Sequence, residues 1–353
     1  MKKVLIFFVT VLLLFAACSD NDKEQTAEDS EAKANAIDEK EQTPEASANV
    51  HTYPLTGVKT DQPVDDRIVG VMVNNHRRAR PQTGLSKADI VFEILAEGTI
   101  TRFLALFQSD KPDVVGPVRS AREYYFELAS GYGAIYTYHG AAAFVNDMIR
   151  NRGIEYLDGA MHDNDGHLFK REPFRKRPHN SYLQLDAVYD VAQNKGYDIT
   201  KSYDPLPFAS KEQTESITGS PATHVKITYS DNPMNIVEYQ YDTEGETYTR
   251  YSDGTKTVEL NSQKAITTDN ILIAETPHQV IDDAGRREVD ITSGGDAYLF
   301  QKGKVRQVTW ENRDGRIIAV KDGEPVPFVP GKTWINVVPS SPGIDQSVTI
   351  SDE

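Results

Sequence analysis

Cysteine is almost absent from this chain: Cys18 is the only one in 353 residues. No disulfide can form within the chain, and neither a Cys/His catalytic pair nor a multi-cysteine metal site is available. The GxSxG elbow, the P-loop and GxGxxG are also missing, which removes the phosphate-cradling and nucleophile-elbow chemistries those loops serve. The one Ser-x-x-Lys, Ser30 to Lys33, sits in an acidic stretch too polar to hold a preorganised site, so serine-type transpeptidase chemistry has no support. No apolar run approaches the roughly 20 residues of a membrane-spanning helix. Cations are in the minority: the formal net charge is −15.

What is present begins with an address. Lys2 and Lys3 precede an apolar run from Val4 to Phe15, then Ala16 and Ala17 lead to Cys18. That order of charge, apolar core and small residues is a secretion signal. Phe15-Ala16-Ala17-Cys18 resembles a bacterial lipobox, with Phe15 where leucine is usual. The resemblance implies a palmitate-bearing lipoprotein, with Cys18 lipidated as the mature N-terminus and held at the outer face of the cytoplasmic membrane.

Charge is distributed unevenly behind the signal. Residues 19–50 carry ten Asp/Glu against three Lys and almost no large apolar side chain. Such a stretch cannot offset its own ordering entropy and reads as an acidic spacer. Residues 70–180 hold 15 Lys/Arg against 13 Asp/Glu, whereas 181–353 hold 16 against 27. No basic domain with a nucleic-acid motif follows from this, and nucleic acid is excluded as a partner. The arginines of the first half suit a small anion.

Periodicity predicts two folded parts. In residues 51–200, Ile68–Val73 reads as a strand buried on both faces, and Ala88–Ala96 with Ile100–Phe107 as a hairpin around Glu97-Gly98-Thr99. Ser120, three residues before Glu123, reads as a capping box that starts a helix ending at Gly131. Ala134–His139 then reads as a strand, Ala141–Arg150 as a helix, and Tyr182–Asn194 as another helix. Strand, glycine, helix twice over predicts an α/β domain with a mixed sheet. Residues 201–222 read as a connection. Residues 223–345 alternate apolar and polar between Asx-Gly turns, which predicts a mostly antiparallel β domain and an α+β or α/β chain as a whole.

Two readings compete for the first domain's charges. Arg119 and Arg122 flank the expected helix start at Ser120, where the macrodipole disfavours cations and favours anions. His139-Gly140 makes a second strand-to-helix junction on the expected carboxyl edge of the sheet. Arg102 and Glu93 lie inside apolar strands and need partners. One reading is a locking network of Glu93, Glu97, Arg102, Arg119 and Arg122. The other is an anion site of Arg102, Arg119, Ser120, Arg122, His139, Gly140, Arg171 and Arg175, with Glu93 and Glu97 as paired carboxylates. His162-Asp163-Asn164-Asp165-Gly166-His167 fits neither a zinc motif nor an EF-hand loop and reads as a polar turn, so no metal site is expected.

Thr101-Arg102-Phe103, Gly116-Pro117-Val118-Arg119-Ser120-Ala121-Arg122, His139-Gly140, Pro178-His179-Asn180 and the closing Gly331-Lys332-Thr333-Trp334 resemble the YerB-like lipoprotein family of Gram-positive bacteria. The resemblance spans roughly residues 52–339 and implies a two-part extracytoplasmic lipoprotein linked to the cell envelope. A fainter likeness, in order and residue type only, is to the LytR-CpsA-Psr transferases, which would cast Asp89, Arg102, Arg119 and Arg122 around a polyprenyl pyrophosphate. It covers at most the first domain and lacks that family's arginine-aspartate pair. The preferred expectation is a non-enzymatic protein that binds an anionic wall component or a membrane partner enzyme through its arginine cluster, without cofactor. The alternative is a Mg²⁺-assisted enzyme on a pyrophosphate-linked glycan.

Overall fold

The computed structural model describes residues 50–230 and 235–352. The signal, Cys18 and the spacer up to residue 49 lie outside the described residues.

The apolar runs of the first half become strands β1 (Val69–Asn74), β2 (Ile90–Glu97), β3 (Ile100–Phe107), β4 (Ile135–Tyr138), β5 (Tyr156–Asp158) and β6 (Ser181–Gln184). Helices α1 (Glu123–Gly131), α2 (Ala143–Asn151) and α3 (Ala187–Asn194) connect or follow them. β2 and β3 form the expected hairpin, with Glu97 paired to Ile100. β1 lies antiparallel to β3 and parallel to β4, and β4 runs parallel to β5, so the sheet is mixed.

The second half supplies β7 (His224–Thr228), β8 (Ile236–Asp242), β9 (Thr247–Ser252), β10 (Asn270–Thr276), β11 (Gly295–Gln301), β12 (Lys304–Arg313), β13 (Arg316–Lys321), β14 (Thr333–Pro339) and β15 (Val348–Ser351). Four of them, β13, β12, β11 and β10, continue the first half's sheet through β14, which lies parallel to β2 with Thr333 opposite Ile90 and Val337 opposite Ile94. A single twelve-stranded sheet therefore runs through both halves. β15, β7, β8 and β9 form most of a second, antiparallel sheet of six strands.

Alternation sends side chains of the central sheet to two cores. Met72, Phe92, Leu104 and Leu106 pack with α1 and α2 on one face. Val71, Val73, Leu95, Phe103 and Phe107 pack with α3 and the second sheet on the other. Each such side chain, fully buried, contributes about 1.5–3 kcal/mol.

Three expectations change. The Tyr182–Asn194 helix is in fact β6 followed by α3, because Leu183 sits opposite both Val115 and Phe169 in a small sheet of its own. The stretch 201–222 is more than a connection: it holds a short capped helix, Lys211–Glu215, and a strand pair of Ser220 and Pro221 with β12. β15 carries ordered sheet past residue 345, where the second domain was expected to end.

Candidate functional site

The segment 116–122 does not open a helix at Ser120. Its backbone is drawn into the sheet edge instead. Asn74 N–H donates to Pro117 O, Arg119 N–H to Met72 O, Val118 N–H to Ser181 O, His139 N–H to Arg119 O and Ala121 N–H to Gly140 O. These bonds hold the chain extended until Arg122, whose φ of −139° is that of a strand, and α1 starts at Glu123 with no side-chain cap. The Ser120–Glu123 capping box is therefore absent. Sheet hydrogen bonds compete for the same backbone groups, and here they win. The same ladder brings both junctions, Arg119-Ser120 and His139-Gly140, against one end of β1.

Two of the three arginines expected here are consumed internally. Glu97 forms ion pairs with both Arg102 and Arg122. Arg102 also donates to Ser120 O at 2.9 Å, and Arg122 to Ala121 O at 2.6 Å. Burial would push the Glu97 carboxyl up, but Arg102 and Arg122 outweigh it and hold it below its ordinary value. Burial, with Arg122 beside it, brings Arg102 down to about 10. Glu93 does not belong to this network. It accepts from Arg250 of β9 at 2.8 Å, and its other oxygen accepts from Thr101 and Asn75.

Arg119 is the exception. Its guanidinium is half-buried and has no hydrogen bond or ion pair with any described residue. Burial lowers its basicity, Glu97 opposes that through space, and Arg122 adds to it. Arg119 thus stands in the field of its neighbours without being used by them.

The remaining expected residues are positioned as follows. His139 Nε2 faces Arg171 Nη2 at 3.0 Å, and its Nδ1 faces Ser181 Oγ at 2.7 Å. An arginine can only donate, so Nε2 is the acceptor and Nδ1–H donates to Ser181. The imidazole has no lone pair left to take the serine's proton, and this Ser–His contact is not a nucleophile and base. Burial and Arg171 lower the basicity of His139, which keeps it neutral. Arg171 also binds Asp163 and Asn180. Arg175 is spent on Ala79 O, Pro81 O and Tyr182 Oη. Gly140 has φ +70° and donates its N–H to Asp158 Oδ1 at 2.7 Å. The 162–167 stretch is a turn in which Asp165 Oδ1 accepts the N–H groups of residues 167–169, and no metal-binding group occurs among the described residues. Asp89 is fully buried at the end of the hairpin away from Arg102, where it accepts from Gln108 and Ser109. It cannot take the acidic part that the transferase likeness would give it.

Sequence reasoning passed over His76. It follows Asn74-Asn75 at the end of β1 and opens the basic loop Arg77-Arg78-Ala79-Arg80. Its ring stacks on that of His179, with centroids 4.7 Å apart and planes 21° from parallel. A histidine directly after a strand's carboxyl end, ahead of three arginines, was the available signal. The same loop borders a cleft of about 520 Å³ between Arg77, Arg80 and Gln82 on one side and Asp253, Lys256 and Gln263 of the second half on the other. Arg80 Nη1 pairs with Asp253 there at 2.7 Å.

Comparison with known proteins follows the same division of the chain. Two family models match: "Protein of unknown function (DUF3048) N-terminal domain" over residues 55–198 and its C-terminal counterpart over residues 225–335. A curated relative, named "Putative lipoprotein YerB", from Bacillus subtilis (strain 168), is 48% identical over 288 residues, which is 81% of this chain and 86% of the relative. The chain belongs to the DUF3048 family. The crystal structure of the YerB protein from Bacillus subtilis superposes with a TM-score of 0.78 at 46% identity, covering 85% of this chain and 99% of that one. As a DUF3048 member the chain is α+β, with few helices and many strands in mixed and antiparallel sheets. It shares the lipoprotein character carried by its relative's name. Among the described residues no helix is long and apolar enough to cross a membrane. Nothing in these matches supports the transferase likeness.

Proposed function

We propose that this chain is a lipoprotein tethered through Cys18 to the outer face of a Gram-positive cytoplasmic membrane, where it binds an anionic envelope component at Arg119. One observation carries the binding half of this reading: the half-buried Arg119 guanidinium has no protein partner among the described residues, although Glu97 close by satisfies both Arg102 and Arg122. A partly desolvated cation without a counter-ion costs stability, and a bound anion returns it. Arg102 and Arg122 then act as a fixed frame that shapes the field around Arg119, and Arg171 and Arg175 fix the loop that carries His179. The reading needs no cofactor, and its partners are the membrane and an anionic wall precursor or envelope protein.

The anchor is supported by the lipobox and by the relative's name. Cell fractionation tests it: Cys18→Ala should move the protein from the membrane fraction into the medium, and unchanged membrane retention would refute the tether. Titration of the full-length chain in detergent with inorganic pyrophosphate tests the binding. Saturable heat that fades as ionic strength rises is expected. Absence of binding at low salt would remove the anion reading.

A further inference from the structure

Three buried polar atoms on residues that line one cavity have no hydrogen-bond partner among the described residues: His278 Nε2, Arg287 Nε and Ser347 Oγ. The cavity measures about 380 Å³, and Leu95, Tyr229 and Pro339 also line it. No residue of the anion site does. His278 and Arg287 belong to a two-stranded ribbon, His278–Val280 with Arg287–Val289, in which His278 is opposite Val289 and Val280 opposite Arg287. Residues two apart on a strand share a face, so these two side chains lie diagonally on one side of the ribbon. Ser347 ends the one-turn helix Ile344–Ser347, which Glu275 holds by accepting the Ile344 N–H. Buried polar groups are nearly always satisfied, and three left over around one space point to a guest.

The role of each atom follows from the bonds its side chain already makes. His278 Nδ1 lies 2.9 Å from Thr276 O, and a carbonyl only accepts, so Nδ1 carries a proton. Burial, with Arg287 beside it, brings the imidazole down to about 4, so the ring is neutral and Nε2 is a bare acceptor. Arg287 donates from Nη2 to Gly98 O at 2.7 Å and forms no ion pair among the described residues, which leaves its Nε–H as a donor on a cation without a carboxylate. Ser347 Oγ, on a side chain almost sealed from water, can donate or accept. An acceptor, a cationic donor and a hydroxyl together call for a guest that offers both a donor of its own and negatively charged oxygens. We propose that this cavity binds a small carboxylate bearing an N–H or O–H on the carbon next to the carboxyl group, as the last residue of a peptide or a free 2-hydroxy acid does. The carboxylate takes the Arg287 Nε–H and the Ser347 hydroxyl, and the ligand's own donor goes to His278 Nε2. A fully ionised phosphate or sulfate is a poorer match, because it brings no donor to His278. The cavity's size is within the range of small-molecule pockets. This site does not depend on the reading at Arg119.

Calorimetric titration of the full-length protein in detergent tests this with N-acetylglycine, a minimal chain end, and two analogues. N-acetylglycinamide lacks the carboxylate, and N-acetylsarcosine lacks the N–H. Glycolate and methoxyacetate make the second comparison for a free hydroxy acid. N-acetylglycine, glycolate or both should bind saturably, and each analogue at least about tenfold more weakly than its parent. Whichever parent binds identifies the source, chain end or free acid. In His278→Ala the parent and its methylated analogue should bind within about twofold of one another, because the ligand's donor then has no acceptor to lose. Ser347→Ala should weaken the parent about two- to tenfold. The wild-type ligand series decides the matter even if His278→Ala does not fold. No saturable binding, or equal binding of parent and methylated analogue by the wild type, would overturn the inference and mean that water alone satisfies the three groups. Either result would leave the Arg119 reading, which pyrophosphate tests, untouched.

Discussion

Glu93 Oε2 accepts from Arg250 Nη2 at 2.8 Å, and both side chains are all but sealed from water. The two residues come from opposite halves of the chain, and the Arg250 guanidinium lies over Phe103 and Trp334, 5.2 and 4.8 Å from the ring centroids. The pair ties the second sheet to the twelve-stranded sheet at the β2–β14 seam. Removing one partner leaves the other charge buried and alone, which costs about 3–5 kcal/mol. Arg250→Met should therefore lower the urea midpoint strongly. Because one sheet spans both halves, the wild-type protein should unfold in a single transition by fluorescence and circular dichroism. Two separate transitions would show that the halves fold independently of the seam.

Glu97 sets a pH dependence whose direction follows from its pairing. Its carboxyl is held below the ordinary value by Arg102 and Arg122. The stability it provides is complete above the ordinary carboxylate range, about pH 4 to 5, and is lost as pH falls through the lowered value. Glu97→Gln should be less stable than wild type at neutral pH, and the difference should shrink toward about pH 3. A difference that stays constant with pH would mean that the carboxylate's charge is not what holds the two arginines.

Two glycines predict opposite kinds of cost. Gly140 needs its positive φ, but a Cβ there would meet nothing within 4 Å, so Gly140→Ala should cost only the backbone term, about 1–2 kcal/mol. Gly131, at the end of α1, abuts the turn at Gly315, and a Cβ would fall 2.2 Å from Gly315 O. Alanine would gain about 1 kcal/mol of helix propensity, but it would have to push backbone away from backbone. Gly131→Ala should nevertheless destabilise more than Gly140→Ala in thermal unfolding. The reverse order would mean that α1 can shift away from the second half at little cost.

Local pattern made much of this molecule readable. The β-branched run at Val69–Val73, the hairpin at Glu97-Gly98, the His139-Gly140 junction and the alternating strands after Pro221 all follow from side-chain period and turn chemistry. The errors lie where distant backbone overrides a local signal. Ser120 and Glu123 have a capping-box spacing, yet the carbonyls of Met72, Ser181 and Gly140 claim the neighbouring N–H groups, and the N–H groups of Asn74 and His139 claim the neighbouring carbonyls. Tyr182 and Leu183 resemble the first turn of a helix until Phe169 and Val115 pair with them. The partner of Glu93 could not be chosen from sequence, because Arg102 is close in the chain and Arg250 is close only in the fold. For the site, the arginines were visible but not their division into two that are satisfied and one that is not. That division depends on where the single carboxylate of Glu97 points.

Arg119 should behave unlike its neighbours when removed. With no protein hydrogen bond to lose and a partly desolvated charge removed, Arg119→Ala should leave stability unchanged or raise it. Arg122→Ala, which frees one side of Glu97, should cost more. Urea unfolding of the two variants side by side makes the comparison. An equal and large loss for Arg119→Ala would mean that its role is structural.

The most direct measurement is the affinity of the full-length protein for pyrophosphate at low salt, wild type against Arg119→Ala. A charge-assisted contact from an unpaired guanidinium is worth about 1.5–3 kcal/mol, so the variant should bind about ten- to a hundredfold more weakly. Equal affinities, or no affinity in the wild type, would contradict the claim that the structure holds Arg119 open for an anion.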